Sequence, residues 1–141
     1  MIAIVVGATS GIGRELVRQL CKKGYTVGAT GRRCDRLQSL KEDIGDSVVI
    51  KEMDVTKPEV AINNLNELIN ELGGVDIIVI SAGILLWNPE LNFKLDLDVI
   101  AVNVIVFTAI ANHSVNYFIN QKKGHLVGIS SISALRGSGK A

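Results

Sequence analysis

Short apolar runs recur along this chain, and between them the hydrophobic period switches from continuous to helical. IAIVV (2–6), YTVGAT (25–30), VVIKEM (48–53), VDIIVI (75–80) and HLVGIS (125–130) read as strands. IAIVV, a continuous apolar run, fits a strand buried on both faces, and VDIIVI reads as another buried strand. After the first run, Ile12, Leu16, Val17, Leu20 and Cys21 fall on one helical stripe, closed by Gly24. Leu37, Leu40 and Ile44 stripe a second helix that ends at Gly45, and Ile62, Leu65, Leu68, Ile69 and Leu72 a third, stopped by Gly73-Gly74. Thr56 and Glu59, three apart ahead of that third stripe, have the spacing of a capping box, so the helix is predicted to start at Thr56. Strand and helix alternating in this way predict a doubly wound parallel α/β sheet of five strands with helices on both faces.

Asp96 to Lys123 is harder to read. Six of the eight residues from Val99 to Val106 are β-branched, which favours strand, but 28 residues without Gly or Pro are too long for one. One long helix is predicted there.

The 141 residues fit a single domain, and with 48% apolar but only 4% aromatic residues its core must be aliphatic. A net charge of +1 provides neither a basic surface for nucleic acid nor an acidic tail. The apolar N-terminus lacks the basic flank of a signal peptide. The longest apolar stretch, Val99 to Ala111, is interrupted by Asn103 and Thr108 and falls short of the ~20 residues that span a bilayer. No membrane partner and a cytoplasmic location are therefore expected. Cys21 and Cys34 form no motif and suit a reducing compartment, and His113 and His125 lack metal-ligand spacing, so no metal site is expected.

The chemistry concentrates in the turn GATSGIG between the first strand and the first helix, with Gly7, Gly11 and Gly13. Such a turn must bend sharply, let backbone approach a ligand and pack a helix tightly on a strand, and glycine serves all three needs. The free N–H groups at the helix start and the helix dipole then favour an anion, and a pyrophosphate fits.

The GxxxGxG spacing, with Thr9 inside it, resembles the short-chain dehydrogenase/reductase family. Further landmarks agree in order: Asp54-Val55-Thr56 after strand three, Ser81-Ala82-Gly83 after strand four, Asn103 in the long helix, and Ile129-Ser130-Ser131 after strand five. The resemblance implies a Rossmann-like fold with cofactor contacts from Gly7, Thr9, Ser10, Gly11, Ile12, Gly13, Asp54, Val55, Ser81, Ala82 and Gly83. It gives Asp54 the adenine amino group, Ser131 the substrate oxygen, and Asn103 a water in a proton relay. Ser81 stands where the family usually has asparagine, so the hydrogen bonds that fix strand four are expected to be rearranged.

In this fold an acidic residue at the end of strand two binds the ribose 2′-hydroxyl of NAD. Here that position reads Thr30-Gly31-Arg32-Arg33, with no carboxylate. An arginine fork matches a 2′-phosphate, and two cations at a helix start are unfavourable without an anion nearby. Arg32 and Arg33 are therefore expected to favour NADP(H) over NAD(H).

The family's proton-transferring Tyr-x-x-x-Lys pair is absent from these residues: Tyr25 lies in strand two and Tyr117 is followed four residues later by Gln121. The resemblance places that pair about thirteen residues after Ser131, beyond Ala141. Residues 1–141 thus read as a single dinucleotide-binding domain, lacking the catalytic helix and last strands. Gly137-Ser138-Gly139 reads as the loop that leads onward. The polypeptide is expected to be longer, or this form to associate through its edge strand and long apolar helix; a homo-oligomer is expected. The resemblance implies hydride transfer between NADP(H) and a small carbonyl or alcohol substrate, with a non-catalytic dinucleotide-binding module as the alternative. Trp87, beside Leu85 and Leu86, reads either as ordinary packing or as a lining of the substrate entrance.

Overall fold

The computed structural model describes residues 1–136, so the expected Gly137-Ser138-Gly139 loop lies outside the described residues. Its elements alternate as β1 (Ile2–Val6), α1 (Gly11–Lys22), β2 (Thr26–Gly31), α2 (Cys34–Ile44), β3 (Val48–Glu52), α3 (Pro58–Leu72) and β4 (Ile77–Ile80). A long helix follows as α4 (Phe93–Ile100), a π-helical segment (Ala101–Val106) and α5 (Phe107–Gln121). The chain then forms β5 (His125–Gly128) and a 3₁₀ turn at Ile132–Ala134. All strands are parallel, in the order β3-β2-β1-β4-β5.

The pleat of β1 separates the two layers. Ala3 and Val5 join Val17, Leu37 and Leu40 in the core under α1 and α2. Ile4 and Val6 join Leu65, Leu68, Val106 and Ile110 in the core under α3 and α5. Side chains alternate across a strand, so one apolar run serves both faces. Beyond β1 the chain runs first to one edge through β2 and β3, then to the other through β4 and β5. The carboxyl ends of β1 and β4 therefore flank the switch point where open α/β sheets bind ligands.

Three local expectations are corrected. Ile12 leaves the α1 core stripe and is 65% exposed. The capping box does not form: Lys57 precedes α3 without a side-chain cap, and the Thr56 hydroxyl donates to Asp54 Oδ1 instead. Pro58 opens the helix and has no N–H to satisfy, which lessens the need for a cap. The long helix starts earlier than Asp96, at Phe93, capped by the Asn92 side chain, and it widens into the π segment. Its buried residues Val102, Val106, Ile110, Ser114 and Phe118 recur every four positions. On a 3.6-residue helix that spacing drifts around the axis, and a wider turn offsets part of the drift. Among the described residues, no helix is long and apolar enough to cross a membrane.

Leu65→Ala, at a fully buried site beneath α3, is expected to lose about 2–5 kcal/mol of stability. Ile119→Ala on the exposed side of α5 should change it by less than about 0.5 kcal/mol. Urea unfolding midpoints at unchanged slope would check the contrast.

Candidate functional site

The floor of the site is built from backbone. Gly7 has φ +95°, and a Cβ there would stand 2.5 Å from the Ala82 nitrogen. A Cβ on Gly13 would collide with the Gly7 carbonyl oxygen. The end of β1, the start of α1 and the segment after β4 thus meet without intervening side chains. The Gly7 and Ala8 N–H groups both donate to the Thr30 carbonyl, at 3.0 and 2.7 Å, which ties the turn to β2. Ser81 extends the β4 ladder through its own N–H, which donates to the Val6 carbonyl at 2.8 Å.

α1 begins beneath an open turn. Ser10 occupies the N-cap position in extended conformation, its side chain makes no cap bond, and the first turn holds no acidic residue. Arg14 is the residue whose N–H returns to the Ser10 carbonyl, so the preceding N–H groups face outward from the helix start. Gly11, with φ +55° and open space around it, supplies the left-handed bend.

Above this floor lies a groove of about 700 Å³. Gly7, Thr9, Ser10 and Ile12 line it from the first turn, and Arg32 and Arg33 from the end of β2. Val55 closes it beyond β3, and Ser81, Ala82 and Gly83 beyond β4. Gly11, Gly13 and Asp54 stand outside its lining. Met53, Ile84, Val102 and Ile129 also line it, and the sequence reading missed them. Met53 carried a signal as the last apolar residue of the VVIKEM run, and Ile129 as the first residue of the Ile129-Ser130-Ser131 landmark.

The two arginines differ. The Arg33 guanidinium turns back over the α1 start: Nη2 donates to Thr9 Oγ1 and to Ser10 Oγ, both at 2.7 Å, and Nε donates to Thr9 Oγ1 at 3.2 Å. Arg32 acts on Asp54 through its charge. Asp54 Oδ1 accepts the Thr56 N–H at 3.0 Å and the Thr56 hydroxyl at 2.8 Å. The Thr56 N–H first, then its hydroxyl and the charges of Arg32 and Lys57, hold this carboxyl below the usual carboxylate range, against an opposing push from burial.

A second cavity, of about 680 Å³, adjoins the groove. Ser81 to Ile84 and Ile129 wall both, and Asn103, Phe107 and Ser131 face the second. Asn103 is exposed and binds both backbone groups of Ile84: Nδ2 donates to the Ile84 carbonyl at 2.8 Å, and Oδ1 accepts the Ile84 N–H at 2.9 Å. Ser131 Oγ accepts the Ser133 N–H at 3.1 Å and caps the 3₁₀ turn. The cavity brings Asn103 and Ser131 together without a direct bond between them. Trp87 is 68% exposed and lines neither cavity, so it is not a packed residue; Leu85 lines the second cavity while 86% exposed.

A family model for short chain dehydrogenases matches residues 1–141. The chain belongs to that family. It is 35% identical over 140 residues to an oxidoreductase of Myxococcus xanthus, covering 96% of this chain and 55% of that protein. It is 41% identical over 86 residues to the NADP-dependent 3-hydroxy acid dehydrogenase YdfG of Escherichia coli, covering 61% of this chain and 35% of that one. Among solved structures, serine dehydrogenase from Escherichia coli superposes with a TM-score of 0.90 at 29% identity, over 99% of this chain and 66% of that one. The chain thus spans about half the length of the curated relative that it matches over most of its own length. The five-stranded Rossmann-like sheet of this short-chain dehydrogenase chain is the one expected from its sequence.

Three outcomes follow from this geometry. Gly13→Ala is expected to lose about 1–3 kcal/mol, because the Gly7 carbonyl cannot move aside cheaply. Ser10→Ala should cost less than the ~1 kcal/mol typical of an N-cap, since no cap bond exists; thermal unfolding of the two variants would compare them. The lowered Asp54 pKa gives a stability contribution complete above the ordinary aspartate value of about 3.9 and lost as pH falls through the native value. Asp54→Asn should therefore flatten the acid limb of a stability-versus-pH curve.

Proposed function

We propose that residues 1–141 form one cofactor-binding domain of an NADP(H)-dependent oxidoreductase, which moves a hydride between the nicotinamide and a small carbonyl or alcohol substrate. The observation that carries this reading is the Arg33 guanidinium laid across the α1 start. Arg33 is also the N-cap residue of α2, so its charge sits between two helix N-termini. A cation there is unfavourable until an anion joins it, and a 2′-phosphate supplies the anion that distinguishes NADP(H) from NAD(H). The name of the Escherichia coli 3-hydroxy acid dehydrogenase, a relative at 41% identity, supports the same cofactor.

The groove fits a dinucleotide: glycine backbone at its floor, outward N–H groups at the helix start, and a cleft of about 700 Å³. When bound, the cofactor supplies or receives the hydride. The N–H groups of Gly11, Ile12 and Gly13 would hold its pyrophosphate. Asp54, kept ionised by Thr56, would accept from the adenine amino group, and Val55, Ser81, Ala82 and Gly83 would wall the ribose. The Ser131 oxygen already accepts the Ser133 N–H, which leaves its own proton to donate to the substrate oxygen. Both ends of the Asn103 amide bind Ile84, so we assign Asn103 the positioning of the wall between the cavities. In the family, proton exchange belongs to a Tyr-x-x-x-Lys pair, a spacing that residues 1–141 do not contain. The exposed Leu97, Ile100, Val104 and Ile105 of the long helix suit a subunit interface in a cytoplasmic homo-oligomer.

Fluorescence titration is expected to show NADPH bound at least about tenfold more tightly than NADH, the worth of one charge-assisted hydrogen bond. Arg33→Met should abolish that preference. Retention of neither nucleotide by folded protein would overturn the reading.

A further inference from the structure

Thr9 is 8% exposed, yet its hydroxyl oxygen accepts two of the three hydrogen bonds that fix the Arg33 guanidinium. Its rotamer has a visible cause. The Thr9 methyl occupies the space that a side chain at Gly31 would fill, and a Cβ on Gly31 would collide with it. With the methyl seated against Gly31, Oγ1 turns towards Arg33. Gly31 has no special backbone angle to account for it; it is the last residue of β2, buried, and the threonine packs directly onto it.

We propose that Gly31 and Thr9 act as paired positioning residues that set the nucleotide selectivity of the groove by holding Arg33 in place for a 2′-phosphate. Neither needs to touch that phosphate. Gly31 makes room for the Thr9 methyl, Thr9 Oγ1 anchors Nε and one Nη2 proton, and Nη1 is left to meet the anion. A free arginine side chain loses rotamer entropy on binding, and a guanidinium already anchored loses less. This inference rests on the NADP(H) reading above and assigns the selectivity to residues behind the arginine.

The test is a set of NADPH and NADH dissociation constants, with melting temperatures, for the chain and five variants. Thr9→Val keeps the methyl contact and removes the acceptor. It is expected to weaken NADPH about tenfold more than it weakens NADH, the loss of charge-assisted bonds to Arg33. Thr9→Ser should keep the selectivity. Arg33→Met should lose it, and adding Thr9→Val to Arg33→Met should weaken NADPH no further, since the two act as one unit. Gly31→Ala should copy Thr9→Val; if that variant unfolds, the valine and serine pair decides. Thr9→Val with undiminished NADPH affinity, equal weakening of both nucleotides, or additive losses with Arg33→Met would each overturn the proposal. A starting chain that binds NADPH no better than NADH refutes the cofactor assignment itself, and this inference with it.

Discussion

The contact of backbone on backbone among Gly7, Gly13 and Ala82 is the constraint on which the site depends. Parallel strands diverge at their carboxyl ends where the chain switches direction, and the helix after β1 must still start between them. Without side chains at Gly7 and Gly13, α1 can begin close enough to the sheet that its outward N–H groups share a groove with the ends of β2, β3 and β4. A single methyl at either glycine would push that start away from β4. The phosphate-facing geometry is thus a consequence of packing, and the ligand chemistry rests on it.

Much of this was legible in the sequence. The strands coincide with the apolar runs to within two residues; the inner strands β1, β2 and β4 are buried and need a continuous apolar run, while the edge strands β3 and β5 are only partly buried. Helices α2 and α3 end where the glycines stand: Gly45 and Gly73 adopt positive φ, which L-residues resist. The failures are equally physical. The Thr56/Glu59 spacing is local, whereas the threonine hydroxyl went to Asp54, two residues back, under a helix that Pro58 can open uncapped. Ile12 fits a helical stripe by number, but the first turn of α1 overhangs the groove and faces away from the core. Ile84 and Val102 were missed because their part in the groove comes from where distant segments meet, which no spacing records.

Charge was legible only as composition. The pair Arg32-Arg33 announces an anion site without saying which arginine serves it or how. The fold separates them: one side chain stays near Asp54, and the other crosses to hydroxyls 24 and 23 residues earlier in the chain. A threonine inside a glycine turn offers no signal of its own for this role. It acquires one only when β2 places Gly31 against it.

The π segment shows how the molecule accommodates a polar residue in an apolar helix. Asparagine is a poor helix former, and the widened turn departs from ideal hydrogen-bond geometry. Yet β4 ends at Ile80, and the segment after it runs without a strand partner for the Ile84 backbone. Every such N–H and carbonyl needs a partner or water. Asn103 provides both a donor and an acceptor in the geometry a neighbouring strand would have offered. Its neighbour Val102 and the following Val106 stay in the core. The irregular helix therefore replaces a missing strand at one residue, Ile84, which lies on the wall that the groove and the second cavity share.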